Sequence, residues 1–356
     1  MAQSVEVEVE VEVEVETAAM RLALAASWAV LGTTSPNPPV GAVVLDAAGA
    51  VVGVGATAPA GGPHAEVAAL AAAGERARGG TVVVTLEPCA HHGRTPPCTA
   101  ALLAAGVARV VVGVGDPNPV AAGGAAVLRA AGVEVVTGVE VGTVERGPLR
   151  AWLHRVGTGR PHVIWKVACT LDGRVAAADG SSRWITSAAA RERVHLLRSQ
   201  VDAVLVGSGT AWADDPELTV RLPRFDPADG PIRVVVGHRG PPAGSRLALA
   251  TATGDRPEVV HLPSHDPDVV LAELAARGVV SVLLEGGPTL AGAFWAAGRV
   301  DLVVAHLAPA LLGAGPAALG PAGVGSIGDI LRLDVETLDR IGADIEVVAV
   351  PGVARS

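Results

Sequence analysis

The sequence predicts a two-domain α/β protein, and three observations support this fold class. Apolar strand-like runs, such as residues 82–86 and 110–114, alternate with Ala- and Leu-rich helix-like segments, as in layered α/β domains. The length of 356 residues exceeds the usual size of a single domain. A second series of strands, glycine-containing turns and helices begins at residue 162, after a stretch of scattered charge.

Composition limits the classes of function that this chain can have. The net charge of −9 argues against nucleic acid or an anionic membrane surface as a partner. We expect no membrane span and no secretion signal, because no long uninterrupted apolar run and no basic-then-apolar N-terminus is present. The three cysteines suit a reducing cytoplasm, where disulfides are rare. A cytoplasmic protein that acts on small molecules is therefore expected.

The strongest chemical signal lies between residues 63 and 99. It consists of His64-x-Glu66, then Pro88-Cys89, and finally Cys98. One imidazole and two thiols can hold a zinc ion and leave its fourth position open for water, whereas a structural zinc site usually has four protein ligands. A carboxylate beside such a site can carry protons to and from that water. The pattern is the signature of zinc-dependent base deaminases, so His64, Cys89 and Cys98 are predicted metal ligands and Glu66 the catalytic acid/base.

The loop between the two cysteines narrows the family. Eight residues, Ala-His-His-Gly-Arg-Thr-Pro-Pro, separate Cys89 from Cys98, and this loop resembles that of the bifunctional riboflavin-biosynthesis deaminase/reductases. The resemblance implies a three-layer α/β/α cytidine-deaminase-like first domain that acts on a pyrimidine carrying a ribose phosphate. It also implies a substrate contact at Asn37, in the rigid turn between two prolines.

Three positions near this signature depart from the family pattern. Thr57 stands where a His is usual, Ala90 where a Ser is common, and Ala100 where an Asp is common. The metal ligands and Glu66 are unaffected, so the departures concern contacts to the substrate.

Two strand–glycine-turn–helix units mark the second half, at residues 204–210 and 280–290. Backbone N–H groups at such turns suit a pyrophosphate, although the full Gly-x-Gly-x-x-Gly fingerprint is absent. Together with further landmarks these turns are similar to the reductase half of the same family. The landmarks are Lys166, Leu171-Asp172-Gly173, Trp184-Ile185-Thr186, Asp214-Asp215-Pro216 and Glu285-Gly286-Gly287-Pro288-Thr289-Leu290.

This second resemblance implies a dihydrofolate-reductase-like α/β domain that uses NADPH. The residues that it places at NADPH are Ala168, Trp184, Thr210, Asp214, Gly287, Pro288, Thr289, Leu290, Ala291, Gly292 and Ala293. Those that it places at the sugar-phosphate substrate are Ser182, Arg198, Leu218, Arg221 and Glu285. Two arginines suit one phosphate, because guanidinium groups bind phosphate oxygens in pairs. Gly237, where a strand usually ends in Asp, and His238 beside it depart from the family pattern.

The chain is expected to divide into four parts. Residues 1–17, with their strict Val-Glu alternation, are interpreted as a disordered tail, with an added edge strand at an oligomer interface as the alternative. Residues 18–145 form the deaminase domain, 146–160 a linker, and 161–356 the reductase domain.

The predicted function is two consecutive steps of riboflavin synthesis. A zinc-dependent hydrolytic deamination of a diamino-pyrimidinone ribosylamine phosphate is followed by NADPH-dependent reduction of the ribosyl group to the ribityl form. Lys166, Asp172 and Glu285 are candidate proton donors in the second step. Three alternatives stay open: the same architecture with one inactive half, a nucleoside or tRNA deaminase fused to another reductase, and a non-catalytic zinc-stabilised binding protein. The family also tends to self-associate, so a homo-oligomer is possible.

Overall fold

The computed structural model describes residues 2–91, 96–248 and 258–352, with side chains from residue 13 onwards. The chain divides into two compact units, Met1–Gly159 and Arg160–Ser356. Each unit is built around one sheet, of five and eight strands respectively. The predicted pair of α/β domains is therefore confirmed. None of the helices in the described ranges is long and apolar enough to cross a membrane.

The first unit places a mixed sheet among helices. Its strands have the order β2-β1-β3-β4-β5, with β2, β1 and β3 antiparallel and β3, β4 and β5 parallel. Its elements are α1 (Ala2–Ala29), β1 (Gly41–Leu45), β2 (Val51–Ala56), α2 (Ala65–Ala73), β3 (Thr81–Leu86), α3 (Cys98–Ala105), β4 (Arg109–Val114), α4 (Gly124–Ala130), β5 (Glu134–Thr137), α5 (Val141–Arg146) and α6 (Arg150–Thr158).

Small residues let two helices lie very close to this sheet. A Cβ atom added at Gly41 in β1 would overlap the carbonyl oxygen of Ala23 in α1. A Cβ atom added at Gly55 in β2 would overlap the backbone of α2 at Ala69. The shortage of aromatic side chains thus agrees with a core in which backbones approach one another closely, and this packing holds α2 against the sheet.

The Val-Glu segment differs from its prediction. The structure places residues 2–29 in the single helix α1, so both the disordered tail and the edge strand are corrected. Glu is a good helix former, and the segment leads directly into an Ala- and Leu-rich helix. A long-range contact also anchors its end, because Glu16 is 5% exposed and lies 2.7 Å from Nε of Arg109 in β4.

The boundary between the units also differs from its prediction. Residues 146–160, expected as a linker, hold α6 over most of their length, and this helix belongs to the first unit, which ends at Gly159. Leu149 and Trp152 are buried there. The apolar side of this helix was hidden in the sequence by its polar residues, with Arg150 between the two buried positions and His154 and Arg155 after them.

The second unit is organised by six parallel strands. Its sheet has the order β12-β13-β11-β6-β10-β7-β8-β9, in which β13 runs antiparallel to both β11 and β12. Its elements are β6 (His162–Thr170), α7 (Ala188–Ser199), β7 (Ala203–Gly207), α8 (Ser208–Asp214), β8 (Ile232–Val236), β9 (Val259–Leu262), α9 (Pro267–Ala276), β10 (Ser281–Leu284), α10 (Pro288–Ala296), β11 (Leu302–Ala308), β12 (Leu333–Ile341) and β13 (Asp344–Pro351).

Parallel strands bring their carboxyl ends to one edge of the sheet, which is where open α/β sheets bind ligands. β6, β10 and β7 are adjacent and parallel, so the residues that follow them lie side by side. The helices α8 and α10 begin at this edge. Behind it, buried Val, Leu and Ala side chains pack with Phe294 and with the edge-to-face pair Trp165 and Trp295, whose ring centres are 5.9 Å apart.

Candidate active sites

The predicted metal ligands come together in the first unit. His64 precedes α2, Cys98 begins α3, and Cys89 lies in the loop after β3. Nδ1 of His64 is 3.2 Å from Sγ of Cys98 and 3.7 Å from Sγ of Cys89. Two ligands of a tetrahedral zinc ion, one nitrogen and one sulfur, are separated by about 3.5 Å. The donor set and its spacing therefore fit zinc.

The Cys89 thiol has an environment that favours metal binding, whereas hydrogen bonding with Cys89 and burial raise the pKa of the Cys98 thiol. Hydrogen bonding with Cys98 lowers the pKa of the Cys89 thiol to about 4, against the effect of burial and with a further contribution from hydrogen bonding with His64. The backbone N–H of Cys98 also donates to Sγ of Cys89, at 3.3 Å. Since the thiolate is the form that coordinates metals, Cys89 is prepared for that role.

Glu66 lies beside the three ligand atoms but is not one of the metal-binding group. It occupies the first turn of α2, two residues after His64, and is 4% exposed. Burial raises the pKa of its carboxyl group above the ordinary value. A buried carboxyl group that can exchange a proton next to an open metal position is suited to general acid/base chemistry.

A pocket of about 410 Å³ opens onto this group. Asn37, from the turn between two prolines, lines it together with His64, Glu66 and Cys89. The structure thus brings the predicted pyrimidine contact to the metal group. Thr57, at a position where the family usually has a His, also lines the pocket, and its hydroxyl oxygen accepts a 3.0 Å hydrogen bond from the N–H of Val40.

Several residues of the pocket were missed by the sequence analysis: Glu87, His91, Asp116, Asn118 and Trp152. Glu87 fixes the backbone of the turn that carries Asp116. Its carboxylate accepts hydrogen bonds from the N–H groups of Asp116 at 3.1 Å and Ala125 at 2.9 Å. Burial raises the pKa of Asp116. The Gly-Asp-Pro-Asn-Pro turn after β4 was a usable signal, since it follows the carboxyl end of a parallel strand.

In the second unit a buried ion pair stands at the carboxyl end of β10. Nε and Nη2 of Arg198 in α7 donate to the two carboxylate oxygens of Glu285, at 2.6 and 2.9 Å. Nη1 of Arg198 donates to the carbonyl oxygen of Thr219, at 3.0 Å. Burial acts to raise the pKa of Glu285, but the Arg198 guanidinium holds it below the ordinary value. Glu285 is therefore a fixed anion.

The partners of Arg198 bear on the expected two-arginine phosphate clamp. Glu285 and Thr219 accept hydrogen bonds from three of the five N–H groups of Arg198. Arg221 differs, because its side chain is 58% exposed and lies 3.4 Å from the Glu217 carboxylate at the surface. The N–H of Arg221 donates to Nδ1 of His195 at 3.3 Å, which brings residue 221 close to α7.

The remaining predicted substrate residues, Leu218 and Ser182, lie in loops of the second unit. Leu218 is 2% exposed and has a φ of 55°, so its side chain packs into the core and only its backbone is available to a ligand. Ser182 lies in the loop before α7, half-buried. In that loop Nη2 of Arg183 donates to the carbonyl oxygen of Asp214 at 2.9 Å, which joins the loop to the end of α8.

The three candidate proton donors are not equivalent. Hydrogen bonding from Thr170 lowers the pKa of Asp172 to about 2, and its carboxylate also accepts from the N–H of Gly313 at 2.7 Å. Asp172 is thus an anion that anchors the loop after β11. Lys166, in the central strand β6, has a pKa lowered by burial, with Glu285 acting in the opposite direction. Asp172 and Glu285 are held as carboxylates and carry no proton to give, so Lys166 is the candidate that remains as a donor.

The turn between β10 and α10 fits the diphosphate of a dinucleotide. Gly287 caps α10 and, being a glycine, provides no side-chain cap for the first N–H groups of that helix. A Cβ atom at Gly287 would lie 3.4 Å from the hydroxyl oxygen of Thr210 in α8, so two predicted cofactor positions adjoin. Ala168 lies on β6 two residues beyond Lys166, and therefore on the same face of the sheet. Trp184 is 68% exposed, with the Arg191 guanidinium 4.4 Å from its ring centre.

Comparison with known proteins agrees with both sites. Residues 13–114 match the model of the cytidine and deoxycytidylate deaminase zinc-binding region, and residues 161–347 match that of the RibD C-terminal domain. The riboflavin biosynthesis protein RibD of Mycobacterium tuberculosis is 50% identical over 333 residues, which are 92% of this chain and 95% of the relative. The riboflavin biosynthesis protein RibD of Escherichia coli is 42% identical over 343 residues, which are 88% of this chain and 93% of that relative.

Solved structures agree over almost the whole length. Acinetobacter baumannii RibD superposes with a TM-score of 0.86 at 35% identity, covering 96% of this chain and 100% of that one. A diaminohydroxyphosphoribosylaminopyrimidine deaminase/5-amino-6-(5-phosphoribosylamino)uracil reductase from Thermotoga maritima gives 0.86 at 32% identity with the same coverage.

Fold and sites together define a zinc-dependent deaminase joined to an NADPH-dependent reductase. The chain belongs to the RibD family of riboflavin biosynthesis proteins. The predicted family, two-domain fold, pair of enzyme classes and two cofactors are confirmed by these matches.

Proposed function

We propose that the first unit deaminates a diamino-pyrimidinone that carries a phosphoribosylamino group. The observation that carries this proposal is the buried Glu66 carboxyl group beside His64, Cys89 and Cys98 in one pocket. Bound zinc supplies a Lewis acid that activates water at this position. Glu66 takes up one proton of that water and delivers it to a ring nitrogen; it then takes the second proton from the added hydroxyl group and delivers it to the amino group, which leaves as ammonia while the carbonyl forms. The Asn37 amide orients the pyrimidine by hydrogen bonds to its polar edge.

The second unit is proposed to reduce the ribosyl group of the deaminated product to the ribityl form. NADPH supplies the hydride at the sugar C1. The Gly287 turn holds the diphosphate of the cofactor, with further contacts from Ala168, Trp184, Thr210, Asp214 and residues 288–293. Arg221 binds the substrate phosphate, while the ion pair between Arg198 and Glu285 shapes the site next to Ser182 and the backbone of Leu218. Lys166 is proposed as the proton donor.

Two further statements belong to this proposal. A cytoplasmic location is supported by the free thiols of Cys89, Cys98 and Cys169. Self-association is supported by β12, an edge strand that leaves Leu333, Val335 and Leu338 exposed. Sedimentation equilibrium of the purified chain tests the second statement.

The replacement Glu66→Gln tests the deaminase proposal. It preserves size and hydrogen bonding but cannot carry a proton, so deamination should fall by at least ~10²-fold, the usual contribution of general acid–base catalysis. Zinc content and the reduction of the deaminated substrate should stay unchanged. The matched control is Glu75→Gln, which alters a carboxylate whose side chain is 95% exposed just beyond α2. Deamination that survives within a few-fold would exclude Glu66 as the proton carrier.

A further inference from the structure

One imidazole in the second unit lies between the two arginines that were predicted at the substrate phosphate. His195 is in α7, about one helical turn before Arg198, and residues three apart on a helix are neighbours on its surface. Its Nδ1 accepts a 3.3 Å hydrogen bond from the backbone N–H of Arg221 and lies 3.2 Å from the carbonyl oxygen of Thr219. The ring is half-buried, and neither the hydride transfer nor the proton transfer requires it.

The segment that carries Arg221 is held from two sides. Leu218 and Val220 are buried, so this segment cannot move without exposing apolar surface. On the side of α7, Nη1 of Arg198 donates to the Thr219 carbonyl oxygen at 3.0 Å, and His195 meets the N–H of Arg221. Two side chains of one helix thus hold two backbone groups directly before the Arg221 side chain leaves the main chain.

These hydrogen bonds favour one form of the His195 ring. An unprotonated Nδ1 can accept from the N–H of Arg221, whereas a protonated Nδ1 cannot. The Thr219 carbonyl already has a donor in the Arg198 guanidinium, so it does not need the imidazole proton. The tautomer that satisfies both backbone groups carries its proton on Nε2 and leaves Nδ1 as the acceptor.

The surroundings keep this ring uncharged. Burial, followed by the positive charges of Arg198 and Arg221, lowers the pKa of His195 to about 4. A hydrogen bond with the Thr219 carbonyl and the charge of Glu285 act in the opposite direction, with less effect. At neutral pH the imidazole is therefore uncharged, and its Nδ1 keeps the lone pair that accepts from Arg221.

The hydrogen bond acts on the Arg221 guanidinium through the backbone. The side chain is 58% exposed, and its 3.4 Å contact with Glu217 is of the exposed kind that contributes little to fixing a geometry. A long side chain that becomes ordered on binding a ligand loses conformational entropy, which weakens binding. A fixed backbone at residue 221 reduces this loss, because fewer directions remain open to the side chain.

We propose that His195 is a positioning residue of the reductase site: its neutral imidazole accepts the N–H of Arg221 and thereby directs the Arg221 guanidinium to the substrate phosphate. This inference rests on the proposed contact between Arg221 and that phosphate. His195 itself does not touch the substrate, so its effect is confined to the binding of the phosphorylated form.

Replacement of His195 by Ala and by Asn tests the proposal in the full chain. Oδ1 of Asn can take nearly the place of Nδ1, whereas Ala offers no acceptor. His195→Ala should raise KM for the deaminated substrate roughly two- to tenfold, the range for one neutral hydrogen bond, and leave kcat within about twofold. His195→Asn should restore most of this loss. With a substrate that lacks the phosphate, both variants should match the unchanged chain.

A double-mutant cycle with Arg221→Ala shows whether His195 acts through that side chain. In the Arg221→Ala background, His195→Ala should change KM by less than about twofold, because the group that it positions is gone. The matched control is Glu192→Ala, at an exposed position of the same helix, which should leave KM unchanged. Circular dichroism of each variant establishes that it is folded.

The outcomes separate this inference from the proposed function beneath it. An unchanged KM in His195→Ala, equal losses in both backgrounds, or no recovery in His195→Asn would overturn the role of His195 alone. If Arg221→Ala does not reduce the preference for the phosphorylated substrate, the proposed phosphate contact fails, and the positioning role fails with it.

Discussion

At the scale of single residues, the ion pair of Arg198 and Glu285 decides how the reductase site is charged. Both side chains are 12% exposed, and two hydrogen bonds join them. A buried charge that loses its partner costs about 3–5 kcal/mol, because it is left uncompensated in a poorly solvated place. The pair therefore keeps Glu285 ionised beside Lys166 and links α7 to the end of β10.

Arg198 and Arg221 should consequently respond differently to replacement by Ala. Arg221→Ala should lower kcat/KM for the phosphorylated substrate by about ten- to a hundredfold, through the loss of a charged contact, and leave stability nearly unchanged. Arg198→Ala should destabilise the reductase unit by about 3–5 kcal/mol. Steady-state kinetics and denaturant unfolding measure the two effects.

Arg277→Ala, at an exposed ion pair, serves as the control for both measurements. If Arg221→Ala weakened NADPH binding as much as substrate binding, the phosphate contact would be misplaced. Unchanged stability of Arg198→Ala would instead contradict the structural role of the pair.

At the scale of elements, α1 depends on its second half for its attachment to the first unit. Met20, Ala23 and Ser27 are fully buried against the sheet, and Gly41 allows the close approach. Because a glutamate occurs at every second position of the Val-Glu segment, glutamates also lie four residues apart on the helix. Such like-charged pairs destabilise a helix. Contact with the sheet, rather than the Val-Glu pattern itself, is therefore what fixes this helix in place.

Replacement of Glu16 tests whether contact with the sheet holds α1 in place. Glu16→Gln removes the carboxylate that faces Nε of Arg109, but Arg109 keeps its 2.7 Å contact with Glu134. The expected loss is about 1–3 kcal/mol in the unfolding free energy of the deaminase unit, the cost of leaving a buried polar group poorly paired. Glu14→Gln, at an exposed position of the same helix, should change stability by less than about 0.5 kcal/mol. Equal effects of the two replacements would show that Glu16 has no special anchoring role.

At the scale of the whole molecule, the two units carry separate chemistry on separate sheets. Among the described residues, the His/Cys metal-binding group lies entirely in the first unit, and the glycine turns at the parallel-strand edge lie in the second. Each unit has its own core, so its site is assembled without strands from the other unit.

Removal of the metal should therefore separate the two activities. Treatment with a strong chelator should abolish deamination, because the remaining protein groups cannot activate water, while NADPH oxidation on the deaminated substrate should stay within about twofold of the untreated rate. Added zinc should restore deamination. Parallel assays of one treated sample measure this, and a loss of reductase activity that zinc also restores would contradict the independence of the units.

The sequence by itself determined the chemistry of both halves wherever the signal is local. His64 and Glu66 are two residues apart at a helix start, and the loop between Cys89 and Cys98 is specific in length and composition. Glycine turns after apolar strands similarly indicated the cofactor edge. Such features are readable because helix and strand periods fix where neighbouring side chains point.

Only the tertiary structure decided which distant groups meet. Arg198 and Glu285 are 87 positions apart, and no local pattern indicated that they form an ion pair. Trp152 reaches the deaminase pocket from a helix that had the composition of a linker, and Glu16 is anchored by Arg109 on a strand far along the chain. Strand order and packing determine which distant groups become partners. Burial sets the energetic cost of leaving a charged group unpaired, and burial cannot be read from a local sequence pattern.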